Sequence, residues 1–215
     1  MSEVLTHAFA GVTVLESAVI DRAIEYARQK CEPYLFNHVM RSWLFAVRFG
    51  QKRGIAHDAE VVAVGTLLHD ITLNEAFAGP RRFEVEAADQ VMSFATEAGV
   101  DERRARLIWD IVALNSTPSI AFYKQPEVAL ATAGIALDAV GVQYDELPAT
   151  EIEAILAEFP RLGLKDRFVR CFTHIAKACP ETSYDNFVRD FGERFVPGYQ
   201  APSAVEWITD APFKE

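Results

Sequence analysis

Four side chains in this sequence have the types and spacing to hold a metal ion. His69 and Asp70 end the apolar run VAVGTLLHDITLN, placing an imidazole beside a carboxylate where a buried helix would ordinarily continue with aliphatics. A divalent cation neutralises the carboxylate and engages the imidazole lone pair, which lowers the cost of burying both. Taken alone, an HD dipeptide reads more readily as a core histidine bonded to its neighbour. Two further residues favour the metal. His38 lies 31 residues before His69, and Asp138 lies 68 residues after Asp70, each on a segment with helical periodicity. Two imidazoles and two carboxylates form a mixed nitrogen and oxygen set suited to one divalent ion with room for water. Zinc, iron, manganese and nickel are the candidate ions.

The elements that must position these residues read as helices. TVLESAVIDRAIEYARQKC predicts a first helix from Thr13 to about Cys31, with Thr13 and Glu16 as a capping box. After Pro33, LFNHVMRSWLFAVRFGQK turns His38 inward and closes at Gly54. Asp58 is the expected N-cap of the helix that carries the HD pair. Gly79-Pro80 marks a turn shortly after the pair, in a loop that can serve as a lid, and Arg82 and Glu84 beside it read as an ion pair or as supports for that loop. Phe83 to Ala98 and Asp101 to Asn115 predict two more helices. The segment from Pro126 to Gly141 places Asp138 on a face of very small residues, Ala131 and Gly134, which leaves space beside the carboxylate. Thr150 with Glu153 predicts another capping box, followed by helices over 164–178 and within TSYDNFVRDFGERF. No stretch alternates long enough for a convincing strand, so the expected fold is all-α. The reading is one domain over 1–215, with its core at about 13–195 and an extended tail at 196–215 anchored by aromatics.

Composition narrows the functional classes. The 215 residues are half hydrophobic and about a quarter charged, as in ordinary globular proteins. A formal net charge of −10 opposes polyanion binding, so no nucleic-acid partner is expected. The three cysteines, Cys31, Cys171 and Cys179, form no CxxC and support neither a disulfide framework nor a thiolate zinc site. The opening MSEVLTHAFAGVTV lacks signal-peptide features, and no apolar run reaches bilayer length. A cytoplasmic protein acting on a small molecule, with no membrane association, is the expectation; a homo-oligomer is left open. His7, His57 and His174 read as surface or structural histidines, and Trp43 and Trp109 as core.

The segments NHVMRSWLFA, LLHDITL, RRFEVEAAD, RLIWDIVALNS and LDAVG together resemble the HD-domain superfamily. Within it they look like the cyanamide hydratase branch and its bacterial relatives, from about residue 34 to the C-terminal region. The resemblance implies an all-helical HD-domain fold, a zinc centre at His38, His69, Asp70 and Asp138, and hydration of a small nitrile-like substrate, as of cyanamide to urea. One departure stands out: relatives carry a histidine where IVALN places Asn115. An amide orients by hydrogen bonds but does not titrate, which favours a mononuclear site and puts cyanamide turnover in question. On this reading Asp70 handles the proton of the attacking water, while Asn115 and Thr117 hold the nitrogen end of the substrate. Two rivals remain. A phosphohydrolase would need a basic clamp, for which Arg41 and Arg81 are candidates, and a metal-stabilised binding module would close the ion's shell with protein ligands.

Overall fold

Propensity and periodicity account for most of the elements in the structure, a computed structural model that describes residues 5–213. Among them are eleven α-helices and a single two-stranded hairpin, so the architecture is predominantly α. The chain divides into two compact units, Met1–Thr72 with Phe83–Leu164, and Leu73–Arg82 with Lys165–Glu215.

The first unit contains the hairpin β1 (Thr6–Phe9) and β2 (Val12–Leu15), then α1 (Ala18–Lys30), α2 (Pro33–Arg53), α3 (Ala59–Leu68), α4 (Phe83–Glu97), α5 (Glu102–Ala113), the single turn α6 (Pro118–Ala121), α7 (Pro126–Val140) and α8 (Ala149–Glu158). Every residue of α3 from Val61 to Leu68 is buried, the pattern of a helix surrounded by others, and it packs on α1, α2, α5 and α7. Fourteen of the 21 residues of α2 are buried, which makes it the second internal helix. Its main partner is α7. Their backbones approach closely because position 134 is glycine. A Cβ there would run into the carbonyl oxygen of Ser42 and lie 2.6 Å from the amide nitrogen of Ala46. The space that the small-residue face of α7 leaves beside Asp138 is therefore occupied by α2.

The predicted caps hold at several helix ends. Asp58 Oδ1 accepts from the N–H groups of Glu60 and Val61, and Asp101 Oδ1 from that of Arg104. Gly54 (φ 62°) and Gly141 (φ 78°) close α2 and α7 in the left-handed region. Pro33 starts α2 as its first residue, where the missing N–H is harmless.

Three local expectations are corrected. Thr13 lies in β2, paired with Ala8, and α1 starts later, capped by Ser17. A turn through Ala10 and Gly11, both at positive φ, joins the two strands. Thr150 does not cap α8, which begins one residue earlier behind Pro148. The tail includes a short helix, α11 (Ala204–Thr209), whose Trp207 is 59% exposed, so that aromatic is no anchor.

The second unit holds residues 73–82 and the helices α9 (Leu164–Ala178), α10 (Val188–Phe195) and α11. Phe172 contacts Phe168, Phe187 and Phe191, with ring centroids 4.8–5.3 Å apart. The segment expected as a lid is tied to α9: Arg170 pairs with Glu75 at 2.9 Å, and His174 Nε2 hydrogen-bonds the Phe77 carbonyl at 3.0 Å. Among the described residues, no helix is long and apolar enough to cross a membrane. The three cysteines are buried, and none is in a disulfide.

Candidate metal centre

His38 sits in the first half of α2, pointing inward with 1% exposure. His69 is the C-cap of α3, and Asp70 lies in the turn beyond it. The pair thus occupies a helix end rather than its body. That end carries the partial negative charge of unsatisfied carbonyls, which favours a cation. All three residues are at most 4% exposed.

Three acceptor atoms converge. His38 Nε2 is 3.2 Å from His69 Nε2 and 3.6 Å from Asp70 Oδ2, and His69 Nε2 is 3.3 Å from the same oxygen. The other nitrogen of each ring is already committed. His38 Nδ1 faces Asp138 Oδ2 at 2.6 Å, and His69 Nδ1 faces the Thr66 carbonyl at 2.7 Å. Both partners are acceptors, so each Nδ1 carries the hydrogen and each neutral ring presents a lone pair at Nε2. Two lone pairs and a carboxylate oxygen within 3.6 Å of one another repel unless a positive charge lies among them. A proton on one Nε2 relieves part of this. A metal ion relieves all of it, and these three residues form a metal-capable cluster.

The separations indicate which geometry the cluster fits. Bonds of about 2.0–2.2 Å to a tetrahedral ion put neighbouring ligand atoms about 3.3–3.6 Å apart, while right-angled octahedral ligands would lie at about 2.8–3.1 Å. The observed 3.3 and 3.6 Å fall in the tetrahedral range, and 3.2 Å lies just below it. Two nitrogen donors and one carboxylate oxygen suit a divalent ion.

The protonation preferences reflect the same close approach of the three groups. Burial pushes the His38 imidazole below its ordinary pKa, even against the pull of Asp138. Burial also disfavours charge on His69, but the adjacent Asp70 and the Thr66 carbonyl outweigh it and raise its pKa. Asp70 is held below the usual carboxylate range, because the two imidazoles more than offset its desolvation.

Asp138 is placed differently from the sequence expectation. It is 3% exposed and adjoins His38, but at the ring nitrogen facing away from the cluster. Its oxygens also receive Arg41 Nε and Nη2, each at 2.7 Å, and Arg161 Nη1 at 3.2 Å. Burial raises its pKa, yet the bonds from His38 and Arg41 outweigh that and keep it ionised far below the ordinary range. Arg41 in turn is fully buried, and its Nη1 donates to the carbonyls of Phe159 and Pro160. With its guanidinium so engaged, Arg41 has no free fork for a phosphate. Arg41 is the residue whose role the sequence reading missed. Its signal was a cation three residues after His38, on the inward side of the same helix.

Asn115 follows the C-cap of α5 and turns its amide back to donate to the Val112 carbonyl at 2.8 Å. It does so without a positive φ. Thr117 is the half-buried N-cap of α6, its side chain making no capping bond. Glu84 is buried, at 1% exposure, and accepts from the Ser116 hydroxyl, so it is no surface residue. Thr72, two residues after Asp70, donates to the Phe83 carbonyl at 2.8 Å and pins the HD turn to the start of α4. Compared with protein-family models and with curated proteins, the chain matches none.

Proposed function

We propose that the chain is a metal-dependent enzyme of the HD-domain type, in which His38, His69 and Asp70 hold one divalent ion, zinc by preference, for hydration of a small, uncharged, nitrile-like substrate. The observation that carries this reading is the convergence of three buried acceptor atoms at tetrahedral spacing, with both imidazole Nδ1 atoms tied elsewhere. When bound, the ion would supply Lewis-acid polarisation and bring the pKa of water toward neutrality. The chain's own residues do the rest. His38 and His69 are held in one tautomer by Asp138 and Thr66. Asp70 directs Oδ2 at the imidazoles, which leaves its second oxygen to take a proton from an attacking water.

Three protein ligands leave a tetrahedral ion one exchangeable position, which favours catalysis over a closed structural site. The commitment of Arg41 to Asp138 favours an uncharged substrate over a phosphoester. The amide of Asn115, bonded to its own helix, fits a helix-end role better than a hold on the substrate.

Zinc-loaded protein, incubated separately with cyanamide and with a generic phosphoester, should release urea and no phosphate. His69→Ala and Asp70→Ala should abolish that release together with zinc uptake. Phosphate without urea would reassign the chain to phosphohydrolysis, and a loaded protein inert toward both would leave it a metal-stabilised binding module.

A further inference from the structure

Asp138 has a choice of partners that the structure resolves, and the choice decides how many protein atoms a metal would meet. We infer that Asp138 is a positioning residue held outside the coordination shell by Arg41 and Arg161, and that this clamp sets the metal affinity of the centre through His38. The inference rests on the metal reading above and concerns which atoms control it.

To join the ion, an Asp138 oxygen would have to sit beside His38 Nε2, His69 Nε2 and Asp70 Oδ2. Instead Oδ2 bonds Nδ1 on the far edge of the His38 ring at 2.6 Å. Four side-chain hydrogen bonds fix the carboxylate there: one from His38, two from Arg41 and one from Arg161. Moving it would strand the guanidinium of Arg41, which is completely buried, and an unpaired buried charge is strongly destabilising.

Arg41 cannot easily follow. Its Nη1 is held by the Phe159 and Pro160 carbonyls at 2.8 and 3.2 Å, and Asn37 Nδ2 holds the Pro160 carbonyl at 2.8 Å. Arg161 adds a bond to the main-chain carbonyl of Asp138 itself at 2.8 Å. The segment 159–161 thus straps the end of α7 to α2. An anionic acceptor on Nδ1–H makes the opposite nitrogen of the ring a stronger donor to a metal and fixes the ring's orientation. Loosening the strap should therefore weaken metal binding without removing a ligand.

The test measures zinc affinity by competition with a chromophoric chelator, together with melting of the metal-free protein and a crystal structure of the zinc-loaded parent. Arg161 has a side chain 32% exposed, so Arg161→Ala should fold. It should bind zinc about tenfold more weakly, with the metal-free melting temperature unchanged. Arg41→Lys keeps the charge but loses the two-pronged bond, and should weaken binding by up to about a hundredfold. If Arg41→Lys fails to fold, Arg161→Ala decides alone. The loaded crystal should show His38, His69 and Asp70 on the ion and Asp138 on His38 Nδ1. An Asp138 oxygen at about 2.0–2.2 Å from the ion, or variants that bind as tightly as the parent, would overturn the inference while leaving the metal centre standing. A parent that takes up no zinc would overturn both.

Discussion

Gly134→Ala sets two known effects against each other at the contact that joins the two halves of the proposed centre. In a helix interior alanine is favoured over glycine by about 1 kcal/mol, so propensity alone predicts a more stable protein. The structure predicts the opposite. The new Cβ would lie 2.6 Å from the Ala46 nitrogen, about 0.8 Å inside the 3.4 Å at which ordinary contact begins, and closer still to the Ser42 carbonyl oxygen. Both obstacles are backbone atoms, which cannot rotate aside, so α2 and α7 must part. Overpacking of this kind costs about 1–3 kcal/mol, and a backbone clash belongs at the upper end. The net expectation is destabilisation by about 2 kcal/mol, or a fall in melting temperature of about 4–8 °C for a chain of this size.

The same displacement acts on the site. Asp138 stands one helical turn after Gly134, and His38 one turn before Ser42, so opening the crossing stretches the 2.6 Å bond between them. Zinc affinity should fall by about tenfold, as when the partner of a ligating histidine is disturbed. Thermal melting and chelator competition on the same preparation read both quantities. A Gly134→Ala protein as stable as the parent or more so would refute the account of why α2 and α7 lie so close.

The ion-pair cluster of Asp58, Glu60 and Arg104 predicts a pH dependence. Burial raises the Asp58 pKa, but Arg104 and two backbone N–H groups outweigh it; on Glu60, hydrogen bonds from Arg104 and Ser17 outweigh desolvation. Both folded-state values lie below the unfolded ones, so the stability they add is present above about pH 4.5 and lost as pH falls through the folded values. These groups are a quarter to a third exposed, so Arg104→Met should cost about 1 kcal/mol in urea titrations at pH 7, and the difference from the parent should shrink toward pH 3. A difference independent of pH would count against the assignment. Burial, with a smaller contribution from Asp70, pushes the Cys31 thiol up to about 12, so it should stay unlabelled by iodoacetamide at pH 8 in the folded protein and react on unfolding. Fast native labelling would contradict that burial. Asn115→His removes the side-chain bond to the Val112 carbonyl, so stability should drop by about 0.5–1 kcal/mol with no gain in urea release; a marked rise in hydration would restore Asn115 to the substrate.

The helices and their ends were largely legible in the sequence because the signals are local. Asp58 and Asp101 cap, and Gly54 and Gly141 terminate, for reasons contained within a few residues. The hairpin was missed for the same reason. Four residues of VTVL alternate too briefly to outweigh the apparent box of Thr13 and Glu16, and what decides between them is pairing with THAF across the Ala10-Gly11 turn. At Thr150 a local signal misled, since Pro148 starts the helix a residue sooner and puts Thr150 inside it. The cluster of His38, His69 and Asp70 was readable from residue type, because buried imidazoles beside a carboxylate have few apolar explanations. Asp138 was readable as an inward acid but not as the partner of Arg41. That assignment depends on a helix crossing about a hundred residues apart in sequence, and on a loop at 159–161 with no motif of its own.

The two histidines are held by unlike means, and the difference bears on why a charged cluster is buried at all. His69 is oriented by the Thr66 carbonyl, a backbone atom of its own helix, so its tautomer comes with the fold. His38 lies in the body of α2, where the carbonyls are consumed by the helix, and its Nδ1 needs an acceptor from elsewhere. A carboxylate from α7 supplies it, and a buried carboxylate needs a cation in turn, which Arg41 provides from the next turn of α2. Such a buried triad adds little net stability over an apolar core of the same volume, because desolvation consumes most of the attraction. What it does supply is a single orientation of one ring. Breaking it is another matter: Asp138→Asn should lower stability and metal affinity together, since the buried Arg41 guanidinium loses its counter-charge and one of its two acceptors, and the His38 ring loses the negative charge that strengthens Nε2. An Asp138→Asn protein that melts with the parent and binds zinc as tightly would mean that neither the Arg41 pair nor the charge on the His38 ring matters to the centre.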